Sequence, residues 1–366
     1  MPVIIDGTNG ITQAGEFNSD SSFGFKNRII NGGQTIDQRN AGAAVTVNGN
    51  SVFITDRFRC DDDTDGAYTA QQVSTAPVGF KNSVQVTVTT ADASLSASQY
   101  ALFYHSIEGN NSIADLNWGT ANAKTVTLSF WVRSSLTGTF SGSLENNANN
   151  RSYIFTYSIS VANTFEYKTI TIEGDTSGTW ETGTAVGIRI NWSLGVGSSF
   201  LGTAGAWGNR FFGSTGSVSL IGTNSSTWFI TGIQLEAGSV ATSFDYRSIG
   251  TELALCQRYF VRLINGNTQE LGSGWNYDSS QASGLLYAPV SMRATPSIIS
   301  SSGTDYYIFY RNGAGDSFNS ITIENSNATN NVVSYFNNSQ ISGTAGQCGV
   351  VRSNNASASV ALSSEL

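Results

Sequence analysis

Histidine, cysteine and proline are scarce in this chain of 366 residues. The single histidine, His105, would have to carry any catalytic triad or histidine-based zinc site alone, and it lies in the strand-like sequence YALFYHSIEG. The cysteines Cys60, Cys256 and Cys348 lie far apart, which predicts three thiols kept reduced after folding in a reducing cytoplasm. Four prolines and no Gly-X-Y period exclude a collagen-like chain.

Charged residues are also few. They make up 12% of the chain, about half of the roughly 25% that is usual. The net charge is −8 without basic clusters, so no nucleic-acid partner is expected. No run of about 18 apolar residues and no signal-peptide pattern occurs, which predicts neither membrane insertion nor ordinary secretion.

What the chain does contain is a series of short alternating apolar runs with Gly-, Asn- and Ser-rich connections. The best central-strand candidate is TVTLSFWVRSS, in which Val126, Leu128, Phe130 and Val132 face one way. A short strand is also predicted at Val218–Leu220. Strands at this spacing, with no helical pattern between them, predict an all-β fold: an antiparallel jelly-roll sandwich followed by a second, smaller β-sandwich.

The two predicted sandwiches are expected to meet in the segment TGIQLEAGSVATSFDYRSIGTELALCQRYF. Within it, Thr251–Tyr259 is the only convincing helix that the sequence predicts. The expected organisation is an N-terminal attachment segment over 1–26, a jelly roll over 27–247, a helical joint over 248–260, and a C-terminal sandwich over 261–366. The N-terminal segment, rich in Gly, Asn and Ser, is either a disordered tail or a peptide that orders on a partner.

The acidic run DDDTDG offers Asp61, Asp63 and Asp65 as possible Ca²⁺ ligands. The twelfth position of a calcium loop falls on Gln72 and neither flank is helical, which excludes an EF-hand. An exposed acidic turn remains the alternative.

A pair of carboxylates could also hydrolyse a glycosidic bond, since this chemistry needs no other signature. Sequence spacing does not show which acids meet, so no catalytic residue is assigned and the chain is not expected to be an enzyme. The available acids are Glu108, Asp115, Glu145, Glu166, Glu173 and Asp175.

Aromatic residues in Gly- and Ser-rich contexts suggest sugar binding. Trp207, Trp275 and Tyr277 are expected in loops, where an aromatic face can pack on the C–H groups of a sugar ring. Packing at the end of a sandwich, or at a subunit interface, would explain the same pattern. Trp131, Trp192 and Trp228, in contrast, are expected in strands as core residues.

Several long blocks resemble bacteriophage tail-fibre and minor tail proteins, over about residues 27 to 260. The blocks are NRIINGGQTIDQRN, the stretch from TADASLSASQY to SLTGTFSGSL, RSYIFTYSISVANTFEYKTITIEGDTSGTW, and TGIQLEAGSVATSFDYR with ELALCQRYF. Met1–Gly10 is also similar to the virion-proximal start of such proteins. The resemblance implies a carbohydrate-binding-module-like jelly roll, a trimeric adhesin on the virion tail, and a host-dependent region after the junction.

Residues and resemblance together favour a tail fibre or receptor-binding protein that attaches the virion to glycans on the host surface. The expected partners are further copies of the chain, most simply a trimer, and a tail or baseplate protein bound by the N-terminal segment. The C-terminal sandwich is expected to meet the host. A tailspike depolymerase and a purely structural virion decoration protein remain as alternatives.

Overall fold

A computed structural model describes residues 4–6, 10–13, 26–324, 328–337 and 339–366. The chain divides into two compact units, the first up to Ser248 and the second over Ile249–Glu365. In the described ranges no helix is both long and apolar enough to cross a membrane. Most of the expected attachment segment lies outside the described residues.

Among the described residues of the first unit, nearly all regular elements are strands, with one short helix and two 3-10 turns at Gly109–Asn111 and Ser198–Phe200. The helix is α1 (Ile113–Leu116), which the sequence did not predict. The strands are β1 (Ile4–Asp6), β2 (Gly10–Gln13), β3 (Val45–Val47), β4 (Ser51–Thr55), β5 (Phe58–Asp62), β6 (Ala67–Val73), β7 (Ser83–Thr90), β8 (Tyr100–Glu108), β9 (Val126–Ser134), β10 (Gly138–Glu145), β11 (Ser152–Ile159), β12 (Glu166–Ile172), β13 (Val186–Val196), β14 (Leu201–Gly202), β15 (Trp207–Gly208), β16 (Gly213–Ser214) and β17 (Thr227–Ala237).

Two large sheets form a jelly-roll sandwich, as the sequence predicted. We call the seven-stranded sheet, with order β15-β11-β10-β13-β8-β5-β4, the front sheet, and the six-stranded sheet, with order β12-β9-β17-β7-β6-β3, the back sheet. Neighbouring strands in both are antiparallel. The chain passes repeatedly from one sheet to the other, so each sheet contains strands that are distant in sequence.

The core lies between these sheets and follows from the alternation of the strands. Val126, Leu128, Phe130 and Val132 of β9 are all fully buried, which confirms the predicted inward face. Trp192 and Trp228 are buried in the same cluster, as expected. Trp131 was also expected in the core, but the alternation of β9 turns it to the outward face, where it is only partly buried, so that prediction was wrong. Burying each such side chain contributes about 1.5–3 kcal/mol.

The predicted strand at Val218–Leu220 is wrong: these residues form an irregular segment whose Val218 N–H donates to Thr139 O at 2.8 Å, and Leu220 is buried by packing rather than by sheet pairing. Before β3, the chain passes so close to β17 that a Cβ on Gly32 would lie 2.1 Å from the backbone oxygen of Ile233.

The second unit begins with helix α2 (Ile249–Gln257), close to the predicted helix, and continues as a smaller β-sandwich. A three-stranded sheet, β18-β27-β21, faces a seven-stranded one, β23-β22-β26-β19-β20-β25-β24, across a separate core. The strands are β18 (Phe260–Asn265), β19 (Glu270–Asn276), β20 (Ala282–Tyr287), β21 (Ser297–Ser300), β22 (Tyr307–Arg311), β23 (Ala314–Phe318), β24 (Thr322–Glu324), β25 (Val332–Asn337), β26 (Cys348–Ser353) and β27 (Ser359–Ser363).

Candidate functional site

Trp207 lies in the short strand β15, paired with Tyr153, and not in a loop. Its ring packs edge-on against Trp118 and Trp180, with centroids 5.3 and 5.5 Å apart, and its Nε1–H donates to the backbone oxygen of Glu173 at 2.9 Å. The indole is therefore held in an aromatic cluster and is only partly exposed.

Trp275 lies in β19 of the second unit, where it pairs with Ser283 and Cys348, so its placement in a loop was also wrong. Tyr277 comes just after this strand and is 67% exposed. Of the three expected glycan contacts, Tyr277 alone has the exposed position outside a strand that the sequence predicted.

The acidic run does not form a cluster. Asp61 lies in β5, Asp62 is buried and accepts from the Gly49 N–H at 2.8 Å, and Asp63 and Asp65 are exposed. In the part of the chain that the structure describes, no three or more His, Cys, Asp or Glu side chains are placed to hold a metal ion together. The aspartates Asp61, Asp63 and Asp65 therefore do not converge.

The outward face of the front sheet brings polar residues together from distant parts of the chain. In β5, Phe58 and Cys60 point into the core, so Arg59 and Asp61 point outward. Register pairing then places Arg59 beside Tyr104 of β8, and Tyr104 beside Asn191 of β13.

These outward residues line a small cavity that we call the front-sheet pocket, with a volume of about 110 Å³. Its lining includes Asp61, Tyr104, Glu145, Arg189, Asn191 and Arg210. The volume corresponds to roughly four water molecules at about 30 Å³ each. A larger ligand would place one edge in the pocket and extend along the sheet.

Glu145 anchors one wall of this pocket. Its side chain is fully buried, and it accepts hydrogen bonds from Arg210 Nε at 3.0 Å, Arg189 Nη1 at 3.4 Å and Asn191 Nδ2 at 3.4 Å. A buried carboxylate needs such partners to offset the loss of hydration. Glu145 therefore holds two guanidinium groups at the pocket wall.

Two guanidinium groups lie near the ring of Tyr104, that of Arg59 and that of Arg189, which Glu145 also holds. Arg59 Cζ is 5.4 Å and Arg189 Cζ is 5.6 Å from its centroid. Burial raises the pKa of Tyr104, so the phenol stays neutral and can donate a hydrogen bond. Burial also raises the pKa of Asp61, although the charges of Arg59 and Arg189 oppose this effect.

Three buried polar atoms along this row lack a hydrogen-bond partner among the described residues: Arg59 Nε, Arg189 Nε and Asn191 Oδ1. The amide of Asn191 is oriented by its other end, since Nδ2 donates to Ser143 Oγ at 3.1 Å. Buried polar atoms in folded proteins are nearly always paired. Arg189 and Asn191 line the pocket, so one unpaired donor and one unpaired acceptor lie there, which fits a ligand with hydroxyl groups.

Sequence reasoning missed most of this site. It singled out Asp61 for a metal and Glu145 as one acid among six, and it did not select Tyr104, Arg189 or Asn191 for a site. The sequence signal that could have revealed the site was the set of polar residues that alternate with apolar ones in β8 and β13, together with the charged residues of β5.

Comparisons with known proteins give distant likenesses only. No protein-family model and no curated protein sequence matches the chain. Among solved structures, the enzymatically active domain of tailspike protein 4 from bacteriophage CBA120 matches at 14% identity and a TM-score of 0.30, over 58% of this chain and 22% of that one.

Carbohydrate-binding modules match at a similar distance. The family 11 module of Clostridium thermocellum, in complex with a mixed-linked tetrasaccharide, is 11% identical with a TM-score of 0.28, over 54% of this chain and 98% of that one. The CBM22-1 and GH10 modules of xylanase 10B from the same organism, with xylohexaose, are 12% identical with a TM-score of 0.28, over 56% of this chain and 30% of that one. Such distant likenesses do not decide function, which has to be argued from the pocket itself.

Proposed function

We propose that the chain binds an oligosaccharide at the front-sheet pocket. The observation that carries this proposal is that two buried atoms of pocket-lining residues, Arg189 Nε and Asn191 Oδ1, have no hydrogen-bond partner among the described residues and lie beside the neutral phenol of Tyr104. A sugar hydroxyl can donate to the amide oxygen and accept from a guanidinium N–H.

The charges of the pocket favour such a ligand over a phosphate. Arg189 and Arg210 are already paired with Glu145, and Asp61 adds a further acidic group. An anionic ligand would have to compete with these carboxylates for the guanidinium groups. A hydroxylated ligand can bind without breaking the ion pairs.

The biological setting that we propose follows the resemblance of residues 27–260 to phage tail proteins. The chain would serve as a tail fibre or receptor-binding protein that attaches the virion to glycans of a bacterial surface. It would act as an oligomer, most simply a trimer, joined to the tail or baseplate through its N-terminal segment. The low content of Lys and Glu supports assembly, because few charged residues protect its sheet edges from pairing.

The test measures binding of purified surface polysaccharide from susceptible bacteria by calorimetry. Asn191→Ala removes the unpaired oxygen and should weaken binding about five- to tenfold, the effect of one lost hydrogen bond. Asn122→Ala, which changes an exposed asparagine on another part of the unit, should leave the Kd unchanged. Equal affinity of the Asn191→Ala and wild-type proteins would refute the assignment.

A depolymerase is the second candidate, because Asp61 and Glu145 line the same pocket and the pKa of Asp61 is raised. The full burial of Glu145 under two arginines argues against a nucleophile or a base at that position. Release of reducing sugar ends by the wild type, abolished by Asp61→Asn, would establish the enzyme. Absence of binding to any susceptible cell would favour the structural decoration protein.

A further inference from the structure

The outer face of the back sheet carries a second and larger pocket, which we call the back-sheet pocket, with a volume of about 480 Å³. Pockets for small ligands usually measure about 300–1,000 Å³. Its walls come from β9, β12 and β17 and from the segments that hold Phe80 and Phe244.

Aromatic rings form two groups around this pocket. Trp131 of β9 and Tyr167 of β12 are register partners on the outward face, with centroids 5.3 Å apart. Phe80, Phe244 and Tyr246 form the other group, with centroids 4.9 to 5.7 Å apart. Both groups present ring surface to the same cavity.

The two groups meet over a position that has no side chain. A Cβ on Gly232 would lie 2.6 Å from Phe80 Cζ and 3.0 Å from Trp131 Cδ1, and the φ of Gly232 is +62°, which favours glycine. The Tyr246 hydroxyl donates to the backbone oxygen of Gly79 at 2.9 Å, which ties the two loop segments together. These contacts fix the positions of the aromatic rings around the pocket.

None of the described residues that line this pocket has a charged side chain. Transfer of a charged ligand into such a pocket would leave its charge unpaired, which costs several kcal/mol. Hydroxyl groups are present, from Ser129, Thr242, Ser243 and the tyrosines. The ligand must therefore be uncharged, with flat apolar faces and a polar edge.

We propose that the back-sheet pocket binds an uncharged sugar unit of a polysaccharide, stacked on Trp131 and Tyr167. This site is separate from the front-sheet pocket and does not depend on its function. An uncharged pyranose satisfies each requirement, because its C–H faces pack on aromatic rings while its hydroxyls reach the Ser, Thr and Tyr groups.

The experiment titrates the full chain with four uncharged probes, cellohexaose, maltohexaose, mannohexaose and chitohexaose, by calorimetry. At least one should bind saturably, with a Kd that changes little between about 0.05 and 0.5 M salt, because neutral ligands are not screened. Tyr167→Ala and Trp131→Ala should each weaken this binding about tenfold or more. Tyr167 is 43% exposed, so its removal should leave the fold intact.

Two control variants isolate the pocket. Tyr287→Ala removes a 63% exposed tyrosine from the second unit and should leave the Kd unchanged. Tyr246→Ala removes a comparably exposed tyrosine, at 64%, from the pocket itself and should raise the Kd. Arg210→Ala alters the front-sheet pocket, so probe binding that is weakened by Arg210→Ala but not by Tyr167→Ala belongs to the front-sheet pocket and contradicts this proposal. The proposal is overturned if no probe binds saturably, if binding survives Tyr167→Ala, or if an apolar peptide binds here while all four probes do not.

Discussion

Acid should destabilise the first unit through His105, the single histidine of the chain. The imidazole is fully buried in β8, where its register partners are Phe58 and Ile190. Burial holds its pKa well below the usual 6.5, and the charge of Arg57 lowers it further. The folded state therefore keeps His105 neutral at a pH where the unfolded chain would protonate it.

The sign and size of the effect follow from linkage. Above about pH 6.5 both states are neutral, and His105 does not make stability depend on pH. Below that value the unfolded state binds one proton more, so the free energy of unfolding falls by about 1.4 kcal/mol for each pH unit. The loss grows as the pH falls further and stops once the folded pKa is reached.

Denaturant titrations followed by tryptophan fluorescence measure this loss. Six of the seven tryptophans belong to the first unit, so the signal reports mainly on that unit. His105→Gln removes the titrating group and should flatten the pH dependence between about pH 7.5 and 4.5. The carboxyls with raised pKa values, such as Asp61, are present in both proteins and cancel in the difference. If wild type and variant lose stability in parallel, the account of His105 is wrong.

Three further predictions concern stability and organisation. Gly32→Ala forces a Cβ against the backbone oxygen of Ile233 and should lower the free energy of unfolding by about 2–3 kcal/mol. In the control variant Gly183→Ala the new Cβ meets open space, so the free energy of unfolding should change by less than about 0.5 kcal/mol. Denaturant titration measures both values. Thiol labelling of the native protein should modify only the exposed Cys348, with three thiols labelled after denaturation; mass spectrometry gives the count. A chain ending at Ser248 should fold and retain the front-sheet pocket, because the first unit has its own core. Loss of cooperative unfolding in this truncated chain would contradict the prediction. Adsorption of the truncated chain to cells would show whether the C-terminal sandwich is needed to meet the host.

The fold class could be predicted because many inward faces are strongly apolar. The alternation in β9 is unambiguous, and the helix before the second unit has a change of period that the sequence shows directly. The strand β10 was missed because its sequence GTFSGSLE contains only Phe140 and Leu144 as large inward residues, with Gly and Ser between them. The strand around Trp275 was missed for the same reason, since its neighbours are Gly and Ser.

The front-sheet pocket could not be predicted by local reasoning. Asp61, Glu145 and Asn191 come from three strands that are distant in sequence, and only the register of β5, β8, β13 and β10 brings them together. A pattern of alternation shows that a residue points outward, but it does not show which residue lies beside it. Trp207 and Trp275 were wrongly expected in loops, because a Gly- and Ser-rich context does not distinguish a loop from a strand with small neighbours.

The two faces of the jelly roll have a consequence for how the protein would hold a polymer. The front-sheet and back-sheet pockets open on opposite sides of two sheets packed about 10 Å apart, so a short saccharide cannot fill both. One jelly-roll unit could then bridge two separate polysaccharide chains of a capsule or cell wall. A trimer would have six such contacts, and its release from the polymer would require all of them to dissociate at the same time. A particle could then stay attached although each single contact is weak. Weak single contacts could exchange as the particle moves across the surface.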